Sequence, residues 1–302
     1  MKKDLTKMLD LTKSEILDIL NLADQMKKEQ KSGKEHKLLS GKTLAMIFQK
    51  SSTRTRVSFE VGMYQLGGHA LYLSANDLQM GRGEPIEDTA RTLSRYVDGI
   101  MIRTFAQSEV ESLAHWSSVP VINGLTDFAH PCQILADLMT IREYMGKLEG
   151  VRLAYIGDGN NVCNSLIVGC LMCGMNISVA VPEGYDPHPD VLAFAKDFPG
   201  AFTLCRNPLE AVAHANVVET DVWASMGQES EAKARQEAFV GYQINKQLMD
   251  AAAPGAIVLH CLPAKREQEI TAEIFETHAA SIFDEAENRL HAQKAVMSIL
   301  MK

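Results

Sequence analysis

The densest group of chemistry-bearing side chains is Gln49-Lys50-Ser51-Ser52-Thr53-Arg54-Thr55-Arg56, set where the apolar run Leu44 to Phe48 gives way to helical spacing. A helix N-terminus presents N–H groups without intrahelical partners at the positive end of its dipole. Hydroxyls from Ser52, Thr53 and Thr55 add donors, and the guanidinium fork of Arg54 matches a phosphate. The segment can cradle phosphate, although the same residues also suit an ordinary Ser/Thr-capped helix with solvated arginines. His130-Pro131-Cys132-Gln133 lies in an equivalent place between the run Val119 to Ile122 and a helical pattern from Ile134, and Arg103 follows the run Gly99 to Ile102. In a parallel sheet all three emerge at the carboxyl edge, where ligands of α/β proteins bind. Taken singly, His130 reads equally as a packing residue and Arg103 as half of a surface ion pair.

The second half carries a different chemistry. Gly157-Asp158-Gly159-Asn160-Asn161 follows an apolar run, but Val162 stands where a dinucleotide fingerprint needs glycine, so a nicotinamide reading is weak. The paired asparagines can cap a helix or hold a small carboxylate. Asp221-Val222-Trp223-Ala224-Ser225-Met226-Gly227 sets a carboxylate and a hydroxyl after a strand, suited to an ammonium group or to an Asx or ST turn. His260-Cys261-Leu262-Pro263-Ala264 ends the next strand, and a buried inert thiol is the commoner fate of such a cysteine. Cys170 and Cys173 have metal-ligand spacing but no second pair, and His260-Cys261 is too little for a metal site, so no metal is expected.

These residues need elements to position them. Thr12-Lys13-Ser14-Glu15 has capping-box spacing and opens an amphipathic helix with a charged tail through Lys37. Leu44 to Phe48, Ala70 to Leu73, Gly99 to Ile102 and Val119 to Ile122 read as strands, alternating with helices over Arg54 to Leu66, Glu87 to Tyr96 and Ile134 to Tyr144. The rhythm restarts after Gly146 to Gly150, with strands at Arg152 to Ile156, Ile177 to Val181, Val217 to Glu219 and Ile257 to His260. The alternation predicts an α/β protein of two domains, each a parallel sheet flanked by helices. The expected domains are 1–147 and 148–286, with a last helix over 287–302 packing back on the first.

At 302 residues the chain has ample length for two cores, and its 46% apolar and 23% charged composition excludes wholesale disorder. A net charge of −8 argues against nucleic acid or an anionic membrane as the main partner. Met1 to Asp10 has no apolar leader core, so free thiols in a reducing cytoplasm are expected for the six cysteines. Gly159 to Pro182 is uncharged and long enough to span a bilayer, but six Asn and Ser residues divide it into a loop, a buried helix and a short strand.

In order and wording together, Ser51 to Arg56, His130 to Gln133, Asp221 to Gly227 and His260 to Ala264 resemble the aspartate/ornithine carbamoyltransferase family along essentially the whole chain, and the last two motifs favour its ornithine branch. The resemblance implies transfer of the carbamoyl group from carbamoyl phosphate to the δ-amine of L-ornithine, without metal or organic cofactor, at an active site in the cleft between the domains. It implies a phosphate cradle of Ser52, Thr53, Arg54 and Thr55, with Arg103, His130 and Gln133 around the carbamoyl end. It further implies a homotrimer in which the loop carrying Gln79 reaches a neighbouring subunit's site. For ornithine it implies Asn161 and Met226 at the α-carboxylate, Asp221 and Ser225 at the α-ammonium, and Cys261, Leu262 and Arg289 at the reacting end. Cys261 is then the expected proton acceptor, with Arg289 beside it to stabilise a thiolate.

Overall fold

A computed structural model describes residues 4–224, 227 and 229–302, so Ser225 and Met226 lie outside the described residues. Contacts divide the chain into two units, one running to Met139 and taken up again over Asn288–Lys302, the other spanning Thr140–Glu287.

The first unit is built on a four-stranded parallel sheet of β1 (Thr43–Phe48), β2 (His69–Ser74), β3 (Gly99–Arg103) and β4 (Val121–Leu125), in the order β2-β1-β3-β4. Its helices are α1 (Lys13–Lys31), α2 (Thr53–Gln65), α3 (Ile86–Leu93), α4 (Gln107–Trp116) and the start of α5 (Pro131–Met145). Thr12 caps α1 through the reciprocal bonds of a capping box with Glu15. Helix α1 stops at Lys31 rather than carrying on through the charged tail, because Ser32 caps it and Gly33 turns at φ +75°. β4 starts two residues later than its apolar run suggests, after Pro120, which has no N–H for the ladder. β1 and β3 are buried almost throughout, as strands covered on both faces must be. Edge strand β2 is largely exposed.

The second unit holds a five-stranded parallel sheet of β5 (Arg152–Ile156), β6 (Asn176–Ala180), β7 (Phe202–Cys205), β8 (Val217–Thr220) and β9 (Ile257–His260), ordered β7-β6-β5-β8-β9. Around it lie α6 (Asn161–Met172), α7 (Pro189–Ala195), α8 (Pro208–Val212), α9 (Ala232–Ala238), α10 (Lys246–Ala251) and α11 (Ala272–Thr277), followed by α12 (Ala279–Leu300). The order reverses at β5, so the loops after β5 and β8 leave the carboxyl edge side by side, which is the usual ligand position in open α/β sheets. The uncharged stretch from Gly159 is a loop, the buried α6 and β6, and no helix of the described residues is long and apolar enough to cross a membrane.

The last turns of α12 belong with the first unit. Asn288 accepts from Lys27 at 2.7 Å, and buried Lys294 donates to the amide oxygens of Gln30 and Gln65 at 3.0 and 2.8 Å. Burial holds the Lys294 ammonium down at about 8. Gly62 makes room for this helix, since a Cβ there would meet Met297 Cε at 2.8 Å. None of the six cysteines, all among the described residues, is in a disulfide.

In the second unit a close approach at Gly159 positions the loop after β5. A Cβ there would sit 2.4 Å from backbone atoms of Tyr185, Asp186 and Pro187, which cannot swing aside as a side chain can. We expect Gly159→Ala to cost about 2 kcal/mol through overpacking, measured by urea unfolding, and an unchanged midpoint would contradict this backbone contact.

Candidate active site

At the carboxyl edge of the first sheet, loops from β1, β3 and β4 are stitched together by backbone bonds. Gln49 N donates to Arg103 O, Thr104 N to Leu125 O and Asp127 N to Phe105 O, at 2.8 to 3.0 Å. Buried Lys50 adds a 2.5 Å bond to Asp127 and sits 4.2 Å over the Phe105 ring. The register between β3 and β4 shifts at Ile102/Arg103, and such a bulge re-aims the side chain it carries.

Ser52 caps α2 by accepting from Thr55 N at 3.2 Å. The cap leaves the first N–H groups of α2 at the edge beside the hydroxyls of Ser52 and Thr53, which is the geometry of an anion cradle. Fully buried Thr55 is the hub. Its Oγ1 accepts from Arg103 Nη1 at 3.4 Å and from Arg289 Nη2 at 3.3 Å. Arg289 Nη1 donates to Gln133 Oε1 at 2.7 Å, and Gln133 Nε2 donates to Asp137 Oδ1 at 2.8 Å. His130 is buried among these groups, and burial followed by the charges of Arg289, Arg103 and Arg54 holds its pKa well below the ordinary histidine value. It is a neutral imidazole at pH 7. Burial also pushes the Cys132 thiol up to about 12, so Cys132 is a packing residue.

Ser52, Thr53, Arg54, Thr55, Arg103, His130 and Gln133 therefore lie at one sheet edge. Arg289, expected at the amine end beside Cys261, is bonded to Thr55 and Gln133 within the first unit. Gln133, expected at the carbamoyl end, gives its oxygen to Arg289. Gln79 is exposed on a short 3-10 turn over Gln79–Arg82, and its neighbours Leu78 and Met80 pack on the core. A cavity of about 640 Å³ bordered by Gln30, Lys34, His36, Lys37, Tyr64 and Gln65 lies where α1 and α2 end, away from the sheet edge that carries these groups.

In the second unit Asn160 caps α6 through Oδ1, accepting from Val162 N and Cys163 N, while its Nδ2 donates to Asp221 Oδ2 at 2.8 Å. Asn161 is buried at the first position of α6. Asp221 Oδ1 accepts from Val222 N at 2.7 Å and from the Cys261 thiol at 3.0 Å. Leu262 follows with φ +58°. Asp221, His260 and Cys261 bring donor atoms within 4.8 Å of one another, more than the sequence pair alone implied. The imidazole is committed to protein partners, however: Nδ1 accepts from Leu262 N at 2.9 Å and Nε2 faces Glu269 Oε1 at 3.1 Å. The cluster is a hydrogen-bonded network rather than an open metal site.

Asn160 takes the helix-cap role that the paired asparagines offered, whereas Asp158, Arg235 and Asp137 are site neighbours to which sequence reasoning assigned no role. Arg235 is buried and donates to Asp158 Oδ2 at 2.7 Å, Trp223 O at 2.9 Å and Glu231 Oε2 at 3.0 Å, tying the loop after β5 to the loop after β8. Burial raises the Asp158 carboxyl to about 6 against the lowering effect of Arg235. The Gln133 and Asp137 pair had an i, i+4 signal; the Asp158–Arg235 pair, 77 residues apart, had none. Because Asp158 titrates near 6 when folded and near the ordinary carboxylate value when unfolded, folding takes up a proton between about pH 4 and 6. We expect Arg235→Ala to lose about 3 kcal/mol at pH 8, where Asp158 is left as a buried charge, and less at pH 5, where it is protonated. Urea unfolding at both pH values checks this, and a larger loss at pH 5 would contradict it.

The chain was compared with known proteins. Residues 3–143 match the model for the carbamoyl-P binding domain of aspartate/ornithine carbamoyltransferase, and residues 149–300 match the Asp/Orn binding domain of the same family. The chain is 56% identical over 301 residues to an ornithine carbamoyltransferase of Syntrophotalea carbinolica, covering 100% of both chains. It is 54% identical to one of Thermococcus kodakarensis, covering 99% of this chain and 96% of that protein. Among solved structures, the ornithine carbamoyltransferase from Pyrococcus furiosus superposes with a TM-score of 0.94 at 53% identity, covering 99% of this chain and 96% of that one. The anabolic enzyme from Campylobacter jejuni superposes with a TM-score of 0.93 at 43% identity, covering 99% of each chain.

Proposed function

The chain belongs to the aspartate/ornithine carbamoyltransferase family, and from that premise we propose that it transfers the carbamoyl group of carbamoyl phosphate to the δ-amine of L-ornithine, giving L-citrulline and phosphate. The observation that carries the reading is the gathering of Arg54, Arg103 and Arg289 around the neutral His130, at a helix N-terminus lined with hydroxyls.

In this reading the 1–147 part with the end of α12 holds carbamoyl phosphate, and the 148–286 part holds ornithine. Ser52, Thr53, Arg54 and Thr55 cradle the phosphate; Arg103, His130 and Thr55 donate to the carbonyl oxygen. As the amine adds to the carbonyl carbon, that oxygen gains negative charge, so preorganised donors stabilise the transition state more than the ground state. Gln133 keeps Arg289 in place, and Gln79 is assigned to the site of a neighbouring subunit. Carbamoyl phosphate binds first and the reaction runs by direct transfer in a ternary complex: the C–N bond forms, the bond to the phosphate oxygen breaks, and phosphate leaves.

Asn161 and Met226 hold the ornithine α-carboxylate, and Asp221 and Ser225 its α-ammonium. A δ-amine resembling lysine has a free pKa of about 10.4, so the neutral nucleophile is scarce at pH 7 and its proton needs an acceptor. We assign that role to Cys261, flanked by Leu262. Its thiol donates to Asp221, so a proton arriving from the amine at sulfur displaces one onto a carboxylate. The six free cysteines fit a reducing cytoplasm, where we place the reaction, in the direction of arginine synthesis. Transcripts that rise with arginine supply would instead mark arginine breakdown.

The test is citrulline and phosphate formation from carbamoyl phosphate with L-ornithine, with L-aspartate and putrescine run in parallel. Activity with putrescine alone would keep the phosphate half and discard the roles of Asp221, Ser225 and Met226. We expect Arg103→Leu to lower kcat by about 10²- to 10³-fold, as removal of an oxyanion donor does, and a kcat near that of the parent would remove Arg103 from the reaction.

An exposed apolar face fits the shared-site reading. Val57, Val61 and Tyr64 recur along one exposed face of α2, and Leu71 and Tyr72 stand exposed on edge strand β2. An apolar face beside an uncovered strand edge suits a partner copy. We expect the parent to sediment as a trimer and Val61→Glu to sediment as a monomer; an unchanged trimer would place the interface elsewhere.

A further inference from the structure

We propose that His260 and Glu269 are a positioning pair that shapes the Cys261–Leu262 turn and so presents the Cys261 thiol to Asp221; this rests on the amine-site reading above. Both side chains of the pair are fully buried. The Leu262 N–H can only donate, so His260 Nδ1, which accepts it at 2.9 Å, carries no proton. The ring proton is therefore on Nε2, directed at Glu269 Oε1 3.1 Å away. Glu269 is itself held, since the same oxygen accepts from Lys265 N. On the other side, Glu285 Oε2 accepts from His260 N at 2.7 Å, anchoring the end of β9.

The consequence reaches Cys261 through the backbone. Leu262 adopts φ +58°, a region a branched side chain avoids without an external constraint. Leu262 also precedes Pro263 through a cis peptide, and one constraint on the turn is the bond from Leu262 N to the imidazole, which turns the chain back on His260 with the intervening Cys261 Sγ 3.0 Å from Asp221 Oδ1. The role assigned to His260 is positional and is exerted through the backbone of the turn. Glu269 acts one step further back, by selecting which imidazole nitrogen is bare.

The experiment compares His260→Phe, which keeps a ring but has no acceptor, with His260→Asn, whose Oδ1 stands near the position of the imidazole Nδ1. Each variant is taken at matched secondary structure and a cooperative thermal transition. Two readouts are made: KM for ornithine against KM for carbamoyl phosphate, and the rate at which iodoacetamide alkylates Cys261, followed on its own peptide by mass spectrometry. We expect His260→Phe to raise the ornithine KM about tenfold, the scale of one lost buried hydrogen bond, with the carbamoyl phosphate KM unmoved and Cys261 alkylated faster. His260→Asn should recover most of both. If His260→Phe does not fold, Glu269→Leu and Glu269→Gln replace the pair, the glutamine oxygen still accepting from Nε2–H. Equal defects in the acceptor-bearing and acceptor-free variants, or an unchanged alkylation rate, would overturn the proposal. Parent enzyme that transfers nothing to ornithine would overturn the functional reading, while the alkylation series still decides this one.

Discussion

Like charges crowded around one buried imidazole are the constraint around which the first unit is organised. Arg54, Arg103 and Arg289 all act on one imidazole that burial has already made hard to protonate. A protonated His130 would add a further cation to that group, so neutrality of the ring is a condition of the arrangement. The supporting contacts follow. Thr55 spends its hydroxyl oxygen on two guanidinium groups, Gln133 gives its amide oxygen to Arg289, and Asp137 fixes the amide that does so. Guanidinium cations gathered beside a helix N-terminus favour an anion, which fits the phosphate cradle proposed for the start of α2.

The second unit meets a different demand with the same architecture. Its polar groups at the sheet edge are a carboxylate, two asparagines and a thiol, which suit the head and tail of a diamino acid rather than a phosphate. Three loops must agree for these to meet, and each is tied by a buried polar contact. Arg235 joins the loops after β5 and β8, Asn160 joins α6 to Asp221, and the imidazole of His260 folds the turn after β9.

Much of this was legible before any coordinates. Continuous apolar runs located every strand but β7, and period-3.6 patterning the principal helices, because a strand covered on both faces has to be apolar along its length whereas the four-residue edge strand β7 is only partly buried. The hydroxyl-rich start of α2, and the placing of His130 and Arg103 after strands, followed from the rule that parallel strands all release their chain at one edge. What stayed hidden were contacts that depend on distance in space. Arg289, 234 residues beyond Thr55, carries no local mark of its partner. Asp158 and Arg235 look like any loop acid and any helix arginine. The membrane-length stretch after Gly159 shows the converse: six small polar residues were enough to divide it correctly.

By itself, the sequence determined the α/β class, the parallel sheets, the capped starts of α1 and α2 and the chemical types present at each sheet edge. These depend on local propensity, hydrophobic period and N–H groups that need capping, all of which act over a few residues. Only the tertiary structure decided which nitrogen of His260 is bare, which partner the Gln133 oxygen serves, and which cations surround His130. Those outcomes depend on burial and on the convergence of segments far apart in the chain, and a hydrogen bond or a desolvated charge exists only once the fold has brought its partners together and removed the water between them.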